Sequence, residues 1–131
     1  MIPGLIILAA ALGLAFNNVQ PHLKTPEELS KFTKCDPDKI AFFVAQKDYE
    51  IMPTWEPSTV CMTEPKYDCK CAATIARDAL KVCERKPRII SVMQGAKHHA
   101  VTVYKRKDGR TGFIDWSRTG IVEDGIWEDR I

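Results

Sequence analysis

Asp68-Cys69-Lys70-Cys71-Ala72-Ala73-Thr74-Ile75-Ala76-Arg77-Asp78-Ala79-Leu80 is the stretch on which the fold turns. Asp68 is a good N-cap, because its carboxylate can accept from the free N–H groups of a first helical turn. The run behind it predicts a helix from about Cys69 to Glu84, ended by Pro87. Cys69, Ala72, Ala73, Ala76, Ala79, Leu80 and Cys83 form its expected buried stripe, with Lys70, Thr74, Arg77, Asp78 and Lys81 toward solvent. A stripe so rich in alanine lets a sheet approach close to the helix axis.

The next segment supplies that sheet. Strands are expected over Arg88 to Met93, His98 to Arg106 and Thr111 to Trp116, where β-branched and aromatic residues cluster. The last two are joined at Lys107-Asp108-Gly109, and the loop length fixes which side chains share a face. A two-residue Asp108-Gly109 turn would put Asp115 beside His98. A three-residue loop, with glycine in the left-handed bulge position, pairs Arg106 with Arg110 and puts Asp115 on the face of His99. That second register also gathers Val101, Val103 and Phe113 on the same face, an apolar surface for the alanine-rich helix, and we take it for that reason.

Outward from this centre, Thr25-Pro26-Glu27-Glu28 and Asp36-Pro37-Asp38 are two helix starts with a capping side chain and proline at the first position. They predict short helices ending near Lys34 and Gln46. Between Tyr49 and Lys66, Pro53, Pro57 and Pro65 forbid a long element and predict an ordered loop packed through Trp55 and Val60. The tail from Ser117 to Ile131 could add an edge strand through Ile121, Val122, Ile126 and Trp127.

The chemistry points at Cys69. A cysteine attacks as its thiolate, whereas a free thiol with a pKa near about 8.5 is only a few per cent ionised at neutral pH. The start of a helix offers unpaired N–H groups that hold a thiolate and, later, the oxyanion of a tetrahedral intermediate. A base must then reach the thiol and be held by a third group. His99 is the candidate base, Asp115 its orienter and His98 a flanking secondary candidate. Cys71 lies about 200 degrees round the helix from Cys69 and reads as structural, although it is the other candidate thiol nearby.

These residues resemble the transglutaminase-like superfamily, with its papain-like arrangement of a nucleophile helix against a sheet. Asp68-Cys69 followed by Ala73 resembles its nucleophile segment, His99-Ala100-Val101 its histidine strand, and Phe113-Ile114-Asp115 the strand carrying its aspartate. The order agrees, with 30 positions from Cys69 to His99 and 16 from there to Asp115. Phe42-Phe43-Val44, the Tyr49 region and Trp55-Glu56-Pro57 resemble the lead-in of short bacterial and phage-encoded members. The sequence departs from the pattern at Tyr67, where the family has glycine, and at Lys70 and Cys71, where acidic residues are usual. The resemblance implies an α+β fold with N-terminal helices and a central nucleophile helix on a small antiparallel sheet. It also implies a cysteine hydrolase or acyl transferase with Cys69, His99 and Asp115 as its triad, Trp55 and Asp68 lining the site, no metal and no cofactor.

The chain has 131 residues, a formal charge of +2, 45% apolar and 27% charged residues, which fits one domain over residues 25–131. Its charge is not gathered in one sequence block, so nucleic acid is not an expected partner; a protein or peptide substrate is. Residues 1–16 are apolar and residues 17–24 read as a linker. The apolar run is shorter than the roughly 20 residues of a membrane span and lacks the basic start of a secretory signal. An anchor, a signal-like segment or a docking segment are the readings it allows. A second function follows from the last of these, a catalytically inactive structural or adaptor protein held in a membrane complex or a phage particle. Five cysteines, at 35, 61, 69, 71 and 83, leave at least one unpaired if the rest bridge. A third reading is a disulfide-stabilised domain in which Cys69 itself is bridged.

Overall fold

A computed structural model describes residues 23–122, apart from the side chain of Gln94. The apolar run at 1–16, most of the expected linker, Ile126 and Trp127 lie outside the described residues. The first helix, α1 (Pro26–Thr33), begins with a complete capping box between Thr25 and Glu28 and ends at Lys34 in the left-handed region. The second, α2 (Pro37–Val44), is capped by Asp36 through the Asp38 N–H, and buries Ile40, Ala41, Phe43 and Val44.

The proline-rich segment is ordered, but not by the side chains expected to hold it. Trp55 and Val60 are both exposed. Backbone pairing holds the segment instead: β1 (Asp48–Tyr49) runs parallel to β2 (Lys66–Tyr67), with Tyr49 opposite Tyr67. Between them a single turn, α3 (Ser58–Cys61), is bridged to the central helix by the Cys61–Cys71 disulfide. A covalent link and a pair of ladder bonds make aromatic packing there unnecessary.

The central helix α4 (Cys69–Val82) has the expected cap and length. Its burial is wider than one stripe. Cys71 and Ile75, on the side away from the sheet, have no exposure, and Thr74 is buried with its hydroxyl returned to the Lys70 carbonyl at 2.8 Å. The reason is that α1, α2 and α3 cover this side while the sheet covers the other. Full burial of Ile75 and Leu80 contributes about 1.5–3 kcal/mol each. A second disulfide, Cys35–Cys83, ties the C-terminal end of α4 to the chain just after α1.

The sheet is an antiparallel meander of β3 (Arg88–Gln94), β4 (Lys97–Lys105), β5 (Thr111–Asp115) and β6 (Arg118–Ile121), in that order. The β4–β5 connection is the three-residue loop: Arg106 N–H donates to the Arg110 carbonyl at 2.8 Å, and Gly109 has φ +88°. The helix, however, lies on the opposite face from the expected one. Thr102 Oγ1 donates to the Ala73 carbonyl at 2.8 Å, and Tyr104 and Ile114 join the cluster built from Ala72, Ala76 and Ala79. Val101 and Val103 instead cluster with Ile90, Val92 and Phe113 on the other face. Both faces of β4 are buried, so hydrophobicity did not distinguish them; the small side chain of Ala100 and the hydroxyl of Thr102 are what let α4 come close.

Candidate functional site

Asp68 does more than cap. Its Oδ1 accepts from the Lys70 N–H at 2.9 Å, and its Oδ2 accepts from the Met52 N–H at 2.9 Å and from Lys70 Nζ at 2.6 Å. Burial opposes the charge, but the Lys70 ammonium and the two backbone donors outweigh it and hold the carboxyl below its ordinary value. One carboxylate thereby fixes the start of α4 and hooks the 48–52 segment beside it. The first residue after this cap is Cys69, the free cysteine of the chain, buried with 8% exposure. Its Sγ accepts from the Ala100 N–H at 3.5 Å, and it packs with Ala73 and Ala100. The reading in which Cys69 is bridged is therefore overturned. Cys71 is also removed as a candidate thiol, since it is bonded to Cys61 on the far side of the helix.

His99 precedes Ala100 on β4, and its Nε2 lies 2.5 Å from Asp115 Oδ1. The register explains the pairing: the ladder sets Thr102 opposite Ile114, so Asp115 falls opposite Val101, on the face of His99. A carboxylate only accepts, so Nε2 carries the proton and Nδ1 is left with its lone pair in the neutral ring. Asp115 is 4% exposed, and its second oxygen accepts from Arg118 Nη2 at 2.6 Å across the β5–β6 turn. Arg118 is a site residue that the sequence reading did not include. Its position three residues after Asp115 across a tight turn was the signal that could have found it.

The thiol and the imidazole line one open cavity of about 390 Å3, together with Trp55, Lys70, Ile89, Ile90, Ser91, His98 and Ala100. Trp55 is among the lining residues and half exposed. His98 is exposed at the rim with Nδ1 3.3 Å from Ser91 Oγ, and so flanks the site without meeting Asp115. Among the described residues no acidic side chain lines this cavity, and the two carboxylates beside it, Asp68 and Asp115, are held by Lys70 and by His99 and Arg118. Tyr49 is the other residue that the sequence reading did not single out. Its phenol is held above the ordinary value, by burial first and then by the charge and hydrogen bonding of Cys69 beside it. Among the described residues no group of three or more His, Cys, Asp or Glu side chains converges to hold a metal ion.

No family model matches the chain, and no curated protein matches it. Among solved structures, calcium-bound LapG of Legionella pneumophila is similar, with a TM-score of 0.57 at 18% identity. The likeness covers 74% of this chain and 61% of that one. Identity this low carries the architecture alone. The fold is α+β and transglutaminase-like, with a central helix packed against a small antiparallel sheet.

Proposed function

We propose that this protein is a cysteine hydrolase acting on amide bonds of peptides or proteins, with Cys69, His99 and Asp115 as its triad. The observation that carries the reading is the 2.5 Å contact of His99 Nε2 with buried Asp115. It leaves an oriented Nδ1 in the same cavity as an unbridged cysteine at a helix start. In the reaction, Cys69 sulfur bonds to the carbonyl carbon as its proton passes to His99 Nδ1. The imidazolium then protonates the departing amine, and Asp115 offsets the positive charge that the ring carries between the two steps. Water, deprotonated by His99, releases the acyl group from sulfur.

Hydrolysis is favoured over transfer to an amine, because the cavity is open and so small a domain has little surface with which to exclude water. The likeness to LapG supports a fold able to present this chemistry. The test is alkylation of Cys69 by iodoacetamide near pH 6 without reductant, read by peptide mass. Selective modification, lost or strongly slowed in His99→Ala, is expected. Sluggish modification that is indifferent to His99 would favour an inactive relative serving as an adaptor.

A further inference from the structure

The wall of the cavity next to the thiol is aliphatic. Ile89 packs against the cluster of Cys69, Ala73 and Ala100. The register explains how it gets there. Ile89 lies opposite Thr102, whose hydroxyl donates to the Ala73 carbonyl on α4, so Ile89 points to the same face of the sheet as Thr102. It is only partly buried and lines the cavity, so a bound group can meet it. Ala100 adds a methyl group to this wall, and Trp55 adds an aromatic ring that is more than half exposed.

The polar side chains around the same cavity are engaged with one another. Lys70 Nζ is bonded to Asp68 Oδ2 at 2.6 Å. His98 Nδ1 lies 3.3 Å from Ser91 Oγ, and His99 is held by Asp115. A carboxylate or ammonium group entering here would give up water without gaining an unengaged counter-charge, which is costly. An aliphatic group would instead cover Ile89, Ala100 and Trp55 and gain from the apolar surface removed from water. We propose that this cavity receives an uncharged aliphatic side chain of the substrate, next to the bond that is cut, and that Ile89 is the residue that selects it. The inference rests on Cys69 being the nucleophile and narrows the substrate to peptides with an aliphatic residue beside the scissile bond.

Four reagents with one reacting group test it: iodoacetamide and its N-butyl, N-carboxypropyl and N-aminobutyl derivatives. In each, Cys69 sulfur bonds to the methylene carbon, iodide leaves with the electron pair and the thiol proton passes to His99 Nδ1, so only the tail differs. Rates at Cys69 are read by peptide mass at neutral pH and divided by the rates with N-acetylcysteine. The N-butyl reagent is expected to modify the wild-type protein about tenfold faster than either charged reagent, and faster than iodoacetamide. In Ile89→Ala the ratio of the N-butyl to the iodoacetamide rate should fall severalfold, and Ile89→Val, which keeps a β-branched side chain on the strand, should give an intermediate ratio. Equal rates for all tails, or a preference for a charged one, overturn the proposal while leaving Cys69 as nucleophile. An unchanged ratio in both variants overturns the role of Ile89, even where all the rates fall together, since the residue would then only shape the site. A wild-type protein that reacts with none of the reagents at Cys69 removes the nucleophile reading and the selectivity with it.

Discussion

The two disulfides hold the two ends of α4, and their separate removal is expected to cost different amounts for a calculable reason. Cys35–Cys83 spans 48 residues and Cys61–Cys71 spans 10. Closing loops of these lengths removes chain entropy from the unfolded state worth about 4 and about 2.7 kcal/mol at 25 °C. The shorter loop lies inside the longer. Closing it first leaves an effective outer loop of about 38 residues and lowers the outer figure by only about 0.2 kcal/mol, so the two contributions nearly add. Urea unfolding of Cys35→Ala/Cys83→Ala and Cys61→Ala/Cys71→Ala, followed by tryptophan fluorescence, reads both. The outer pair should lower stability more, by roughly 1.3 kcal/mol. A larger loss from the inner pair would refute the chain-entropy reasoning.

The same variants separate stability from site geometry. Cys71 lies two residues beyond Cys69 in the first turn of α4, whereas Cys83 caps the far end of the helix. In buffer where both variants remain folded, loss of the inner bridge should therefore slow alkylation of Cys69, and loss of the outer one should not. Equal reactivity in the two would mean that Asp68 alone fixes the first turn.

Two further substitutions test the scaffold. Asp68→Asn replaces a charged acceptor of three donors by an amide that can satisfy fewer of them, a loss of about 1.5–3 kcal/mol at neutral pH. Because the folded carboxyl lies below its ordinary value, its contribution is present above that value and disappears as pH falls through the folded one. Unfolding midpoints of wild type and Asp68→Asn should then converge on acidification below about pH 4, and a gap that stays constant to pH 2 would refute it. Gly112→Ala should destabilise by about 1–3 kcal/mol, because a Cβ there meets the Tyr104 ring at 2.5 Å, where that ring crosses the β4–β5 pair. Thermal melting measures it, and an unchanged midpoint would show that the Tyr104 ring moves freely.

Much of the site's frame is legible in the sequence because it depends on local chemistry. Asp68 caps wherever a helix starts behind it. The Lys107-Asp108-Gly109 segment allows two registers, and the one that sets His99 rather than His98 beside Asp115 is preferred for the apolar face it offers α4; the register holds, although α4 lies on the other face. What was not legible depends on contacts between distant segments. The amphipathic pattern gives α4 one buried stripe, but a helix enclosed by α1, α2 and α3 as well as the sheet also buries Thr74, Cys71 and Ile75. Nothing in the spacing of five cysteines says that Cys71 pairs with Cys61 across a proline-rich loop. The face that receives α4 was misread because both faces of β4 are apolar at Val101–Tyr104. Tyr49 is brought opposite Tyr67, two residues before Cys69, by a two-residue parallel pairing that is too short to leave any periodicity.

The bridges and the free thiol place opposite demands on one helix, and the geometry of α4 meets both. Surroundings oxidising enough to keep two disulfides would also trap an accessible cysteine in exchange with them. Exchange needs a thiolate to approach a disulfide sulfur, and the nearest such sulfur, on Cys71, points about 200 degrees round the helix from Cys69. It is bonded there to Cys61 under α3, with no exposed surface on either cysteine. Cys69 instead faces Ala100 on β4, whose backbone N–H donates to its sulfur at 3.5 Å. The tight Cys69-Lys70-Cys71 spacing thus separates the two sulfurs by helix rotation. A Cys-x-x-Cys spacing would have put them on one face, where they could bond to each other and leave no free thiol at the start of the helix.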